Sequence, residues 1–435
     1  MSDQEISIFW FRRDLRLEDN AALWMALKAG VPVLPIFIFD VNILDQLGNK
    51  KDARVLFIHG EVMRLKAELE ALGSSLQVFY DTPEAAFQEI IKTQKVTGVF
   101  ANRDYESYAR ERDKKIYDLL AGNDITFKAA KDHVIFEKDE VTKDDGLPYT
   151  VFTPYSKKWK AKLNSFYLSS YPTKKYFANF LQCAPFKMPS LKMMKFEDFN
   201  FEFFPKKKID ADIVKDYEKT RDFPAIRGTT HASLHLRFGT VSIRELCRIG
   251  QKLNDKWLGE LIWRDFYQSI IYHFPYSERD SFKPQYDRIQ WLNDESQFAK
   301  WCEGMTGYPM VDAGMRELNQ TGFMHNRVRM VVASFLSKHL LIDWRWGERY
   351  FAEKLLDYEL ASNTGGWQWA AGCGCDAAPY FRIFNPESQL EKFDKEKKYV
   401  RKWVPEYGGS AYPPPMVDHK MARERCLEVF KKALQ

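Results

Sequence analysis

A chain of 435 residues is too long for one compact core, so the sequence predicts two domains. An apolar content of 45% and a charged content of 29% argue against a disordered chain, and a net charge of +5 allows a polyanionic partner without requiring one. The apolar runs are too short for a membrane span, and the N-terminus lacks the pattern of a signal peptide. The six cysteines lack zinc-site spacing, so we predict reduced thiols, no metal site and a cytoplasmic protein.

The first 130 residues alternate β-rich runs with helical patterns. The predicted strands are residues 6–11, 31–39, 75–80 and 97–102, and the longest predicted helix between them is 53–73. This alternation predicts an α/β domain over residues 1–135, with a parallel, Rossmann-like sheet and helices on both faces. Ligands of such sheets bind beyond the carboxyl ends of the strands. Neither G-x-G-x-x-G after the first strand nor a Walker A sequence occurs, which argues against the usual dinucleotide and P-loop phosphate sites.

Between residues 136 and 210 the pattern loses its periodicity. Runs rich in Pro, Lys and aromatic residues, such as 144–159 and 201–210, predict an interdomain connector packed on the surface. From residue 211 onwards, apolar residues recur at spacings of three and four, which predicts an all-helical domain over 211–435. The main predicted helices are 211–220, 242–253, 257–274, 311–320, 326–341, 347–363 and 419–435.

One predicted helix carries a stripe that is poorly suited to a core. Glu260, Trp263, Arg264 and Tyr267 follow the spacing i, i+3, i+4 and i+7, so they share one face. One interpretation is a surface face with an ion pair. The other is a half-open cavity in which the indole stacks on a base and the carboxyl bonds to a base edge. The residues alone leave both interpretations open.

A second helix places Asn326, Arg329 and Met330 on one face, while Arg327 points aside. An arginine in an otherwise apolar helix needs an anionic partner, because an unpaired buried charge is expensive. Asp357 is the natural candidate. The pair is either a structural bridge between helices or a bridge that lies against a cofactor and biases the charge on its ring.

A run of small polar residues follows Gly228. Thr229, Thr230, His231 and Ser233 would open a helix, where free N–H groups and side-chain donors suit a phosphate. Most such runs are simply N-caps, so this signal is weak by itself.

Several blocks of sequence occur together in a fixed order. They are FWFRRDLRLEDN at residues 9–20, then GTTHASLHLRFGTVSIREL, ELIWRDFYQSII, TGYPMVDAGMREL, MHNRVRM, DWRWGERYF and ASNTGGWQWAAGCGCDAAPYFRIFNP. With these blocks the chain resembles the photolyase/cryptochrome family over its whole length, and within that family the class I cyclobutane pyrimidine dimer photolyases. The resemblance implies an α/β antenna domain followed by an all-helical domain that binds FAD, which agrees with the pattern described above.

The resemblance also implies a light-driven lyase that repairs DNA in the bacterial cytosol. Reduced FAD would donate an electron to a pyrimidine dimer flipped out of the DNA, the cyclobutane ring would split, and the electron would return. DNA that contains such dimers is the implied partner, and the implied enzyme is a monomer. The alternative function is that of a cryptochrome-type blue-light photoreceptor.

Individual residues gain roles from the resemblance. An electron relay would run from Trp367 beside the flavin through Trp344 to Trp291 near solvent, and Glu260 would bond a thymine carbonyl group. Asn363 would face N5 of the flavin, and Gly365 and Gly366 would let the backbone turn close to a ring. The implied FAD-binding residues are Tyr217, Thr229, Thr230, His231, Ala232, Ser233, Arg329, Asp357, Glu359 and Asn363. The implied dimer- and DNA-binding residues are Arg221, Glu260, Trp263, Arg264, Tyr267, Asn326, Arg327, Met330, Trp369, Arg382 and Gln389. Among them, a basic rim that grips phosphates around the lesion would consist of Arg221, Arg264, Arg327 and Arg382.

Some positions depart from the pattern of the family or choose between its branches. His231 stands where one branch has Arg, and Glu359 stands where Asp is usual. The folate-binding branch has an Asn-Glu pair where this chain has Tyr108 and Ala109, so a folate antenna is in doubt. A deazaflavin, flavin or folate antenna, or none, remains possible from the sequence. The (6-4) photolyases have histidines at the positions of Asn326 and Met330, so the resemblance favours cyclobutane dimers as substrate.

Overall fold

The computed structural model of the protein describes residues 4–435. These residues form two compact units. The first contains residues up to 137, 162–208 and 232–249, and the second contains 138–161, 209–231 and 250–435. Each unit therefore draws residues from both sides of the predicted boundary at 210, and the boundaries at 135 and 210 stay predictions.

A parallel sheet of five strands, in the order β3-β2-β1-β4-β5, forms the centre of the first unit. The strands are β1 (Glu5–Phe11), β2 (Val33–Asp40), β3 (Gln77–Asp81), β4 (Lys95–Asn102) and β5 (Thr126–Ala130). Every residue of β2 is buried, as is typical of a parallel sheet covered on both faces. The α/β prediction is confirmed, and the structure adds β5, which the sequence analysis did not predict.

Among the described residues, ten α-helices accompany the sheet and the segments that follow it in the chain. They are α1 (Ala21–Leu27), α2 (Val41–Leu44), α3 (Ala53–Glu70), α4 (Pro83–Thr93), α5 (Ser107–Ala121), α6 (Phe152–Lys162), α7 (Ser165–Leu168), α8 (Ala211–Thr220), α9 (Ser233–Arg237) and α10 (Ile243–Leu253). The connector predicted over 136–210 therefore contains regular helices.

The rest of the second unit is helical, as predicted. Its helices are α11 (Asp255–His273), α12 (Glu295–Glu303), α13 (Pro309–Thr321), α14 (Asn326–Ser334), α15 (Trp344–Lys354), α16 (Leu360–Ala371), α17 (Pro386–Phe393), α18 (Lys398–Trp403) and α19 (His419–Leu434). Their apolar faces meet in one core that includes the buried residues Trp301, Trp344 and Trp367. Among the described helices, none is long and apolar enough to cross a membrane.

Two predicted helices of the second unit are interrupted. The prediction of one continuous helix over 347–363 is wrong. The structure has two helices there, because α15 ends at Lys354 and α16 begins at Leu360. The backbone N–H of Leu356 donates to the carbonyl oxygen of Gly322 at 2.9 Å, so a tertiary bond replaces a helical one. The helix predicted over 326–341 changes at Ser334 into a π-helical turn, Phe335–His339.

Candidate functional site

Helix α11 carries the predicted stripe, and α8 supplies the groups that hold its carboxyl. Glu260 accepts a hydrogen bond from the guanidinium of Arg221, and the Tyr217 hydroxyl bonds to the same carboxyl. Arg221 also lies over the ring of Tyr217, 5.3 Å from its centroid. Burial raises the pKa of Glu260, and the positive charge of Arg221 opposes this shift. The structure thus brings three predicted site residues into one cluster.

An aromatic wall continues along the same face of α11. Trp263 stacks on Phe152 with ring centroids 3.6 Å apart and an angle of 4° between the rings. The Tyr267 ring lies 5.4 Å from that of Trp263. A Cβ atom at Gly365 would lie 2.3 Å from the Tyr267 ring, so only glycine allows α16 to approach α11 this closely. Gly365 therefore lies within α16 and allows a close contact with α11, and it does not form the predicted turn.

Arg264 differs from its neighbours on the stripe, because it is buried. Its Nη2 atom donates to Oε1 of Glu359 at 3.0 Å, and Oγ of Ser362 donates to Oε2 of Glu359 at 3.1 Å. The pair joins α11 to the beginning of α16. Most of the Arg264 guanidinium is withdrawn from solvent, so its role at the DNA rim stays a prediction.

The predicted ion pair of Arg329 and Asp357 is present, with Nη2 and Oδ2 3.1 Å apart. The Nε atom of Arg329 donates to the carbonyl oxygen of Met324 at 2.7 Å, which fixes the guanidinium. Next to the pair, His231 stacks on Phe323 at 4.0 Å between ring centroids. His231 adopts a φ of +51°, and burial lowers the pKa of its ring. Arg329 also lies over the ring of Phe323, 5.7 Å from its centroid.

The other residues of the predicted phosphate run lie on either side of a unit boundary. Thr229 and Thr230 are half-buried in the second unit, where Nε1 of Trp257 donates to Oγ1 of Thr230 at 3.4 Å. Ala232 and Ser233 belong to the first unit, where Ser233 begins α9. The roles of Ala232 and Ser233 in cofactor binding stay predictions.

Helix α14 begins beside an ion pair of the predicted rim. Its N-cap is His325, whose Nδ1 accepts from the N–H of Arg327 at 3.2 Å, and burial lowers the pKa of His325 to about 4. The Arg327 guanidinium binds Asp222 at 2.6 Å and covers the ring of Phe393 at 4.3 Å. Phe393 ends α17, the helix that also carries the predicted residue Gln389. On α14 itself, Asn326 is exposed and Met330 is half-buried.

Arg382 is exposed, and a buried lysine holds its backbone. The Nζ atom of Lys338 in the π-helical turn donates to the carbonyl oxygens of Tyr380 and Arg382, each at 3.1 Å. Burial lowers the pKa of Lys338 to about 8. Lys338 thereby attaches the segment between α16 and α17 to the core, while the charged side chain of Arg382 faces solvent.

Asn363 is oriented by α15. Its Nδ2 atom donates to the backbone carbonyl and to Oε1 of Glu348 at 3.0 and 2.8 Å. With both amide hydrogens used in this way, the carbonyl oxygen of Asn363 is the atom that can accept a hydrogen bond from a ligand. One turn away, Gly366 is exposed, and a Cβ atom there would meet no atom within 4 Å.

The three predicted relay tryptophans share the core of the second unit. Trp367 and Trp344 are each 2% exposed, whereas Trp291 is half-buried, so exposure increases in the predicted order. The Nε1 atoms of Trp367 and Trp344 find no hydrogen-bond acceptor within the part of the chain that the structure describes. Trp301, which the sequence analysis did not assign, lies edge-on to Trp367 with centroids 6.1 Å apart.

A pocket opens between α11, α16 and the segment after α16. Its lining includes the predicted substrate residues Tyr267 and Trp369, together with Gly365, Cys375 and Asp376. Gln368 also lines the pocket. Its side chain is held in place, because its Nε2 atom donates to two backbone carbonyl oxygens at 2.9 and 3.0 Å. The two substrate residues therefore border one cavity.

Another pocket lies in the first unit at the carboxyl ends of β1 and β4. The strand order reverses at this point, which is where open parallel sheets bind ligands. Its lining is strongly charged and includes Arg12, Arg13, Asp104 and Asp132. Arg13 is paired with Asp104 at 3.1 Å, so part of this charge is already neutralised.

Some residues of the site were missed by the sequence analysis. Phe152 lies in the predicted connector. Its spacing of three residues from Tyr155 and seven from Trp159 is the only signal that could have indicated a packed helix face. Phe323 and Glu348 have no distinguishing sequence signal. They become part of the site through contacts with His231 and Asn363 that only the tertiary structure creates.

Comparison with known proteins agrees with this geometry. Residues 7–175 match the family model described as DNA photolyase, and residues 257–410 match the FAD binding domain of DNA photolyase. A deoxyribodipyrimidine photo-lyase from Vibrio cholerae serotype O1 is 38% identical, covering 98% of this chain and 99% of that protein. The chain belongs to the DNA photolyase family.

Solved photolyase structures share the fold over the whole chain. A class III photolyase from Agrobacterium tumefaciens has a TM-score of 0.88 and 33% identity, covering 100% of this chain and 98% of that one. An archaeal photolyase from Sulfolobus tokodaii, solved with two FAD molecules, has a TM-score of 0.84 and 34% identity, covering 98% and 100%. The photolyase/cryptochrome resemblance is confirmed, and the class I subgroup stays a prediction.

Proposed function

We propose that this chain is a deoxyribodipyrimidine photo-lyase that uses FAD and light to split cyclobutane pyrimidine dimers in DNA. The observation that carries the proposal is the face of α11. On it, Glu260 is held by Arg221 and Tyr217 beside the aromatic surface of Trp263. A carboxyl with a raised pKa next to a flat indole suits a flipped pyrimidine pair, which offers carbonyl oxygens and stacking faces.

The residues of the second unit fit FAD. The pair of Arg329 and Asp357 places a fixed positive and a fixed negative group side by side. The carbonyl oxygen of Asn363 offers an acceptor to a protonated ring nitrogen, and the open space at Gly366 admits a ring close to α16. When bound there, FAD supplies the electron that starts dimer cleavage under light.

The remaining tasks belong to the chain itself. Glu260 donates a hydrogen bond to a pyrimidine carbonyl, and Trp263 and Trp369 provide the faces on which the flipped bases stack. Flipping favours damaged sites, because a dimer pairs and stacks poorly in the duplex and therefore costs less to extrude. Of the four arginines of the predicted rim, Arg264 is buried, so we propose the more exposed Arg221, Arg327 and Arg382 for the phosphate contacts.

The first unit is proposed to bind the antenna chromophore at the carboxyl ends of β1 and β4. The support is the position of the pocket at the reversal of strand order, together with the second FAD of the Sulfolobus tokodaii relative. Deazaflavin, flavin and folate differ in absorption, so a spectrum of the chromophores released by denaturing the protein identifies the one that is bound. We further propose that the enzyme acts in the cytosol and that it is a monomer. Light scattering of the purified protein tests the monomeric state.

The direct test of function is repair itself. Irradiated oligo(dT) is incubated with the purified, FAD-loaded protein under reductant, in blue light and in the dark, and the remaining dimers are counted. We expect dimers to disappear only in the light. Tightly bound FAD without any loss of dimers would contradict the proposal and favour the photoreceptor alternative.

A further inference from the structure

Helix α6 places three aromatic side chains against α11. Phe152, Tyr155 and Trp159 are spaced three and four residues apart and therefore share one face of α6. The Tyr155 ring lies 5.2 Å from that of Phe266, and Nε1 of Trp159 donates to Oδ2 of Asp265 at 3.0 Å. Tyr155 and Trp159 are almost completely buried. These contacts fix the position of α6 along α11.

Phe152 occupies the end of this face, against Trp263. A centroid distance of 3.6 Å and an angle of 4° mean that its ring covers one face of the indole in full contact. Phe152 is itself fixed, because its backbone N–H donates to Oδ2 of Asp376 at 3.0 Å and its ring meets that of Phe266 edge-on at 5.9 Å. Because both the backbone and the ring of Phe152 are held in place, Phe152 can fix the plane of the Trp263 ring.

The consequence concerns the half-buried indole of Trp263. Because Phe152 covers one face of this indole, a base can stack only on the opposite face. Asp376, which anchors Phe152, also lines the pocket that Tyr267 and Trp369 border. The anchoring of Phe152 and the walls of the pocket therefore share one segment of the chain.

We propose that Phe152 is a positioning residue for dimer recognition, which fixes the indole plane of Trp263 so that the face opposite Phe152 receives the flipped pyrimidine. Phe152 acts through Trp263 and does not touch the substrate. Helix α6, which lies in the predicted connector, thereby becomes part of the dimer site. This inference rests on the proposed function.

The test compares Phe152→Leu with Phe152→Tyr. Leucine keeps an apolar side chain but removes the ring, whereas tyrosine keeps the ring. Fluorescence anisotropy measures the dissociation constants for two oligonucleotides of one sequence, with and without a thymine dimer. Since an aromatic pair is worth about two- to tenfold in an equilibrium constant, we expect Phe152→Leu to weaken dimer binding by about fivefold. Binding to undamaged DNA and the FAD content stay at the wild-type level, and Phe152→Tyr restores dimer binding.

A double-mutant cycle separates positioning from general packing. In the background of Trp263→Leu, the change Phe152→Leu is expected to cause no further loss of dimer binding, since there is no indole left to orient. Tyr155→Leu is the matched control. It removes a ring from the same face of α6 that contacts Phe266 instead of Trp263, and it is expected to lower the melting temperature without changing the ratio of dimer to undamaged binding.

Each result has a definite meaning. Equal losses from Phe152→Leu in both backgrounds, or wild-type discrimination in that variant, would overturn the inference while leaving the proposed function intact. Wild-type protein that binds damaged and undamaged DNA equally would instead overturn the proposed function. Should Phe152→Leu lose FAD, Phe152→Met removes the ring with a more flexible side chain and gives the same comparison.

Discussion

Glu260 experiences two opposite influences on its carboxyl. Burial raises the pKa, whereas the adjacent guanidinium of Arg221 and the hydrogen bond from Tyr217 lower it, and the net direction is upward. A raised pKa makes the protonated carboxyl more accessible, and only that form can donate a hydrogen bond to a carbonyl oxygen. In the proposed complex, the protonation state of Glu260 would thus decide which bond it can make to a pyrimidine.

We predict that Glu260→Ala lowers the quantum yield of dimer splitting several-fold, because the donor to the pyrimidine carbonyl is lost. Glu260→Gln retains an N–H donor and should keep a larger part of the yield. The measurement is dimers split per absorbed photon at saturating DNA, with FAD content determined in parallel. An unchanged quantum yield in Glu260→Ala would contradict the assigned role.

We predict that His325 makes the stability of the second unit depend on pH. Its pKa falls from 6.5 to about 4 on burial, and its Nδ1 must stay unprotonated to cap α14. Between these two values the unfolded chain binds the proton and the folded chain does not. Stability therefore rises with pH across this window, is complete above pH 6.5, and is lost as the pH falls towards 4.

The expected contribution is about 3 kcal/mol across the window, at 1.36 kcal/mol per unit of pKa. His325→Asn keeps a good N-cap but does not titrate, so its stability should change less between pH 4.5 and 6.5, values chosen to lie roughly inside that window. Urea midpoints at several pH values measure the effect. Identical pH profiles for wild type and variant would refute the assignment.

At the scale of elements, the sequence predicts best where periodicity is strong and local. Four buried strands and most helices were found in this way. β5 was missed because Thr126–Ala130 is only partly buried and contains no continuous apolar run. The break between α15 and α16 could not be predicted, because it depends on a bond from Leu356 to the distant residue Gly322.

The candidate site shows the same limit. The stripe on α11 and the pair of Arg329 and Asp357 follow from helical spacing and the cost of a buried charge. Spacing could not reveal that Arg264 pairs with Glu359, or that Asn363 is turned by Glu348, because both contacts join helices that are separate in sequence. Most individual roles came from the resemblance to a family.

The predicted relay tryptophans lie in two helices and a loop, so we test them as a connected series. Trp367 lies in α16, Trp344 begins α15, and Trp291 precedes α12 and meets Phe430 edge-on at 5.9 Å. We predict that Trp291→Phe blocks photoreduction of oxidised flavin but spares repair by enzyme that has been reduced beforehand, because only the first process draws electrons from solvent. Flash absorption spectroscopy and the repair assay measure the two processes.

Trp301→Phe is the matched control for this series. Trp301 lies edge-on to Trp367 but is fully buried, so it is poorly placed to exchange electrons with solvent. We expect normal photoreduction in Trp301→Phe. The reverse pattern, with loss in Trp301→Phe and none in Trp291→Phe, would assign the path to the other indole.

At the scale of the whole molecule, a net charge of +5 is modest for a DNA-binding protein, so DNA affinity must depend on where the cations lie. Arg382 is exposed and its backbone is held by Lys338, which makes it a fixed point of the rim. Phosphate contacts of this kind carry no sequence information but release counterions.

We predict that Arg382→Gln weakens binding to damaged and undamaged DNA alike and reduces the slope of log K against log salt by about one. Arg423→Gln, which removes an exposed arginine of α19 outside the predicted rim, should leave the slope unchanged. Titrations at several salt concentrations measure both variants. An unaltered slope in Arg382→Gln would remove Arg382 from the set of phosphate contacts.

The buried indoles described above have a consequence for reversibility. An indole that loses an electron becomes a strong acid at its N–H, yet Nε1 of Trp344 and of Trp367 has no acceptor among the described residues. If either ring were oxidised, it would therefore keep its N–H proton. The positive charge could then move back to the group from which it came. At the half-buried Trp291 water could remove that proton, and we predict that the charge separation becomes long-lived from that moment.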